Sequence, residues 1–167
     1  INELGALPTQ YNISHILFKV TPGEKSKDSA LEKIRSIRNQ IILGASFSDL
    51  AMQYSDDPGS SNSGGELGFI GRGAMFPEFE KAAFLLKPNE ISDIVETSVG
   101  YHIIKIIGKR GETINARHIL IMQQVGEEDE NKVYKFASTI GDSITDPRSF
   151  ALFAKKYSVD EKTKGSG

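Results

Sequence analysis

Two histidines, His15 and His102, offer this chain its clearest means of proton or hydrogen-bond chemistry, because imidazole is the side chain that changes charge near neutral pH. Each is flanked by apolar residues, in Ser14-His15-Ile16-Leu17 and Gly100-Tyr101-His102-Ile103-Ile104. A purely structural role, two buried rings satisfied by hydrogen bonds, stays open beside a chemical one. With 3 histidines, no cysteine and neither an HxxxH nor an HExxH spacing, no metal site is expected, and no other cofactor is implied. Ser60, Ser61 and Ser63 lie in no GxSxG elbow, so a hydrolase nucleophile is not expected. The segment Gly64–Gly73 is glycine-rich, yet it reads as neither GxGxxG nor GxxxxGK[ST], which argues against a phosphate cradle. Leu67, Met75, Phe76 and Phe79 either belong to the core or line an apolar groove. Four large apolar residues in and just after so glycine-rich a stretch exceed what a surface loop normally carries.

The elements that must position these residues follow from periodicity. Tyr11–Val20 is rich in β-branched and aromatic residues and ends at Thr21-Pro22-Gly23, which predicts a strand and a turn. Ser29–Leu43 repeats Ala30, Ile34, Ile37, Ile41 and Ile42 at helical spacing, and Phe47–Tyr54 is a short helix started by Ser46. Asp57–Gly65 is too rich in Gly, Ser and Pro for regular structure. Glu66–Ile70 predicts a short strand, Phe79–Leu85 a helix opened by Pro77, and Ile91–Glu96 and Tyr101–Lys109 two closing strands. The order gives an α+β fold, a four-stranded, mostly antiparallel sheet surrounded by helices.

The chain also repeats itself. Asn12–Lys19 is echoed by Asn115–Met122, and Ser46–Ser55 by Ser149–Ser158, both at an offset of 103 residues. Asp57 then falls opposite Asp160. The expected organisation is a linker over 1–10, a complete unit over 11–110, and a truncated second copy over 111–167 with helices around Lys132–Ile144 and Phe150–Tyr157. Lacking a counterpart of Gly65–Ile107, the second copy cannot complete its own sheet. Its apolar face must pair elsewhere, exchange with a neighbour or stay mobile, and it is expected to be catalytically inert.

Bulk properties exclude several classes. A net charge of -2 provides no broad attraction to nucleic acid or an anionic membrane. No stretch approaches the roughly 18 apolar residues of a membrane span. The absence of cysteine rules out disulfides and suits an oxidising compartment, where no thiol can mispair. The start at Ile1 rather than Met reads as an excised fragment, compatible with a removed leader.

SHIL at 14–17, FSDLAMQYSDD at 47–57, GGELGFIGRGAMFPEFEKAAF at 64–84 and ISDIVETSVGYHIIK at 91–105 together resemble the parvulin-type peptidyl-prolyl cis/trans isomerases. The tandem pattern is similar to the periplasmic SurA-like chaperone-isomerases. The resemblance implies a non-covalent isomerase of X-Pro bonds that assists the folding of exported or outer-membrane proteins in the periplasm. Its partners would be unfolded, proline-containing polypeptides. It implies that His15 and His102 lie side by side under the site, that Thr97 bonds near them, and that Asp57 takes the place cysteine holds in some members. Leu67, Met75 and Phe79, with Phe76 beside them, would form the proline pocket. Val99 stands where some members have serine. Thr21–Lys27 lacks the arginines of phosphate-directed parvulins. A catalytically weak chaperone module that binds unfolded or aromatic-rich segments is the alternative.

Overall fold

The computed structural model describes residues 13–165; Tyr11, Asn12, the expected linker over 1–10, Ser166 and Gly167 lie outside them. The chain divides into two compact units, one spanning Pro22–Gly126 and the other joining the segment up to Thr21 with Glu127 onwards.

In the larger unit, helix α1 (Glu24–Ile42) buries Ala30, Ile34, Ile37 and Ile41, a stripe repeating every three or four residues. Helix α2 (Phe47–Tyr54) starts at Ser46, whose hydroxyl accepts from the Asp49 amide at 3.3 Å, and buries Phe47, Leu50 and Ala51. Strand β1 (Glu66–Ile70) follows, then helix α3 (Pro77–Leu85), where the proline occupies the first turn and its missing N–H costs no bond. Strands β2 (Val95–Thr97), β3 (Gly100–Arg110) and β4 (Thr113–Met122) complete a sheet of order β1-β4-β3-β2, antiparallel at every pairing.

Both faces of this sheet are covered, so β3 reads as an almost continuous apolar run rather than an alternating one. Tyr101, Ile103, Ile119 and Ile121 pack with α1 and α2 on one face. Ile104, Ile106, Ile114 and Ala116 pack with Phe79 and Ala83 of α3 on the other. Strand alternation therefore sends His102 and His118 to the α3 side. Tight approaches hold the sheet together. Gly100 (φ 150°) lies so close to β4 that a Cβ would stand 2.3 Å from the Ile121 carbonyl oxygen.

The expected strand over Tyr11–Val20 is corrected. Residues 13–20 are extended but form no ladder, and the sheet takes its fourth strand from β4 instead. The physical reason lies in connection length. Only Gly111 and Glu112 separate β3 from β4, so the chain turns back onto β3 at once, paired from Arg110↔Thr113 to Gly100↔Met122 with one bulge between Ile106 and Gly108. The expected strand at Ile91–Glu96 shortens to β2, leaving an isolated bridge between Ile91 and Lys105.

In the smaller unit, residues 13–21 accompany helices α4 (Glu127–Asp142) and α5 (Pro147–Tyr157). Asp146 caps α5 through a capping box with Ser149. Phe18 meets Phe136 edge to face at 5.7 Å, and Phe136 meets Tyr157 at 5.3 Å. The Leu17 amide donates to Ser158 Oγ at 3.1 Å, and the Val159 amide to the Leu17 carbonyl at 2.9 Å. Among the described residues, no helix is long and apolar enough to cross a membrane.

Candidate active site

The larger unit gathers four polar side chains into one line, buried at Thr97, His102 and His118 and partly exposed at Asp57. Thr97 Oγ1 lies 2.8 Å from His102 Nε2. His102 Nδ1 faces His118 Nδ1 at 3.4 Å. His118 Nε2 then reaches Asp57 Oδ2 at 2.8 Å and Ser60 Oγ at 3.0 Å. The Ser60 hydroxyl donates to the same Asp57 oxygen, and the Gly59 amide donates to Asp57 Oδ1 at 3.2 Å.

Strand register and one helix create this line. His118 pairs with Ile104, and His102 with Leu120, so the two rings meet diagonally across β3 and β4. They stack with centroids 5.6 Å apart, and Phe79 of α3 closes edge-on against His102 at 5.5 Å and His118 at 5.8 Å. The loop after α2 is fastened to β4 through Asp56: its N–H donates to the Leu120 carbonyl at 2.8 Å, and its side-chain Oδ2 accepts from Met122 N at 2.9 Å. Gly65 (φ 78°) accepts from His118 N at 2.8 Å, and a Cβ there would lie 2.1 Å from the His118 carbonyl oxygen. Only glycine permits that contact.

The proton positions follow from donor inventory. An ionised Asp57 can only accept, so with one proton per ring His118 donates from Nε2 and its Nδ1 is left as acceptor. His102 must then donate from Nδ1 and accept from Thr97 at Nε2. The chain of donation runs Thr97 to His102 to His118 to Asp57, ending on the carboxylate. Burial pushes the Asp57 carboxyl up, but hydrogen bonds from Ser60, His118 and the Gly59 amide outweigh it and hold the group below its ordinary value of 3.8. Burial, with the neighbouring His118 adding to it and Asp57 opposing, pushes His102 from 6.5 down to about 4. At neutral pH His102 is therefore uncharged and Asp57 ionised.

The expected site residues fall into three groups. Asp57, Thr97 and His102 come together. His15 does not join them: it stands in the smaller unit, where its Nε2 lies 3.1 Å from Asp160 Oδ2, and the ring beside His102 is His118. This corrects the expectation for His15, and the cause is again the short turn that brings β4 into the sheet. Of the expected pocket residues, Phe79 is fully buried beneath the rings. Leu67 and Met75 are partly buried against the same cluster. Phe76 is 38% exposed. Together with Ala74, Met75 and Pro77, Phe76 borders an open cavity of about 330 Å³. Val99 is partly exposed and lends no hydroxyl. Sequence reasoning missed His118 and Ser60. The signal for His118 was present in the repeated His-Ile-Leu; Ser60 is three residues after Asp57, within reach of its carboxylate in a tight turn.

The PPIC-type PPIase domain family matches residues 2–110. The chain belongs to that family. It is 35% identical over 127 residues to the chaperone SurA of Chromobacterium violaceum, covering 75% of this chain and 29% of that protein. It is 47% identical over 96 residues to the foldase protein PrsA of Geobacillus kaustophilus, covering 58% of this chain and 31% of that one. A crystal structure of the peptidylprolyl isomerase PrsA from Bacillus cereus aligns with 40% identity and a TM-score of 0.45, over 63% of this chain and 35% of its own. The chain thus spans under a third of the length of these curated relatives. The family match runs through His15, whereas the compact unit that holds the site begins at Pro22.

Proposed function

We propose that the unit holding Asp57 catalyses cis/trans rotation of X-Pro bonds in unfolded polypeptides. The observation that carries this reading is an ionised carboxylate fixed at the end of the Thr97–His102–His118 chain. Phe79, which those rings share, packs with Leu67 and Met75. An X-Pro bond resists rotation by about 18–20 kcal/mol because resonance gives the amide double-bond character and a negative oxygen. A carboxylate facing that oxygen opposes the planar, charge-separated form and weakens the double bond. As the bond twists, the oxygen loses negative charge and the repulsion falls, so the interaction favours the transition state over the ground state. A thousandfold acceleration asks for only about 4 kcal/mol. The apolar surface of Leu67, Met75 and Phe76 holds the proline ring while the acyl side turns. His118, Ser60 and Gly59 aim Asp57 and keep it charged. No covalent bond forms and no cofactor enters.

The relatives named SurA and PrsA support a role in folding exported proteins, and we place the activity outside the cytoplasm on that ground, with outer-membrane polypeptides among the substrates. A second reading draws on the exposed Phe69 (50%) and Phe76 (38%) of the same unit, which suit binding of extended apolar segments without catalysis. A protease-coupled assay on Xaa-Pro tetrapeptides separates the two. Rate enhancement by the intact chain, lost in Asp57→Ala, supports isomerisation. Binding of aromatic-rich peptides without enhancement leaves the binding module alone.

A further inference from the structure

The two compact units contain the same hydrogen-bond pattern, each with a strand supplied by the other copy of the repeat. In the larger unit Leu120 N donates to Ser55 Oγ at 3.1 Å and Asp56 N to the Leu120 carbonyl at 2.8 Å, while His118 Nε2 meets Asp57 Oδ2 at 2.8 Å. In the smaller unit Leu17 N donates to Ser158 Oγ at 3.1 Å and Val159 N to the Leu17 carbonyl at 2.9 Å, while His15 Nε2 meets Asp160 Oδ2 at 3.1 Å. A second hydroxyl repeats as well: Ser60 Oγ donates to Asp57 Oδ2, and Thr163 Oγ1 to Asp160 Oδ2. Every partner is displaced by 103 residues, with the strands crossed over. The helices of one copy hold the strand of the other.

The two strands are not equally well housed. In the sheet, Ala116 is fully buried and Leu120 is 5% exposed. Their sister positions Ile13 and Leu17 are 86% and 48% exposed, and His15 shows 53% of its side chain where His118 shows 4%. Residues 13–20 thus keep apolar surface that the sheet position would bury, which favours their return to it. A return would also bring each strand back to the nearest helices of its own copy, shortening the loops that must close. The two-residue turn after β3 favours the arrangement with β4 in place. The family match, running through residues 2–110, takes in residues 13–20.

We propose that residues 13–20 and 115–122 are interchangeable occupants of one sheet position, and that their exchange alternates His15 and His118 as the ring between His102 and Asp57. The exchange concerns strand pairing and stands apart from the isomerase reading; only its effect on activity rests on that reading.

The absence of cysteine in the native chain allows a direct test. Lys105 pairs with Arg117 in the present sheet, and Ser14 stands 103 residues before Arg117. Two double variants, Lys105→Cys with Arg117→Cys and Lys105→Cys with Ser14→Cys, are oxidised in dilute solution. Native amide signals for β3 confirm folding before oxidation. The expected result is an intrachain disulfide in both variants. Linkage in only one variant, whichever it is, overturns the proposal, and so do links formed only between chains. Single His15→Ala and His118→Ala variants, assayed on a prolyl tetrapeptide, are each expected to keep a measurable part of the rate that the double variant loses. If both disulfides form and the intact chain accelerates no prolyl peptide, the exchange stands and the isomerase reading falls.

Discussion

Acidification from pH 7.5 to 4 is predicted to remove about 3 kcal/mol from the stability of the unit that holds Asp57, through His102 alone. The ring is 2% exposed, and its pKa is pushed from 6.5 to about 4. Above pH 6.5 neither the folded nor the unfolded chain binds a proton there, and the neutral ring's contribution is fully present. As pH falls below 6.5 the unfolded chain takes up a proton that the folded chain refuses until about pH 4, so stability declines across that window and levels off below it. At about 1.36 kcal/mol per unit, a gap of roughly 2.5 units gives about 3 kcal/mol. Asp57, with its pKa lowered, moves stability in the same direction, but only below its ordinary 3.8, outside the window. Urea unfolding followed through amide signals of β3 and β4, at half-unit steps of pH, measures the loss unit by unit. A His102→Gln variant, neutral throughout, should lose less by about 3 kcal/mol over the same range. Equal losses in the two chains, or a His102 resonance titrating near 6.5, would refute the reasoning.

Other outcomes follow from the same contacts. Phe79→Ala empties the space under both imidazoles and should destabilise the unit by about 3–5 kcal/mol in urea unfolding, since Phe79 has no exposed surface. Gly65→Ala would set a Cβ 2.1 Å from the His118 carbonyl oxygen. A loss of at least about 2 kcal/mol in thermal unfolding is expected, because the obstruction is backbone and the φ is left-handed. Ser60→Ala takes one donor from Asp57, so the carboxyl pKa should rise by carbon-detected NMR titration, with little change in the helix content seen by circular dichroism.

Much of the frame was legible in the sequence because single elements carry their own signal. Ile34, Ile37 and Ile41 mark the buried stripe of α1, and Ser46 marks the start of α2. Glu66–Ile70 is a strand within the bounds its residues suggest. Asp57, Thr97 and His102 lie on one hydrogen-bonded line through His118. The partner of His102 was not legible, for a physical reason. Ser14-His15-Ile16-Leu17 and Arg117-His118-Ile119-Leu120 suit the same sheet position, so local pattern is silent on which one occupies it. The choice rests on connection length and on surface buried across the whole unit. Phe79 shows a related limit. A large apolar residue after a glycine-rich loop fits a groove as well as a core, and only the packing of α3 on the histidines places it beneath them.

The charge on Asp57 is the centre of the account, and Asp57→Asn isolates it by keeping size and most hydrogen-bonding capacity while removing the charge. On a chromogenic Xaa-Pro tetrapeptide, with folding verified by the β3 amide signals, kcat/KM is predicted to fall at least tenfold, equivalent to about 1.4 kcal/mol of transition-state stabilisation. An Asp57→Asn chain that isomerises as fast as the native one would contradict the account.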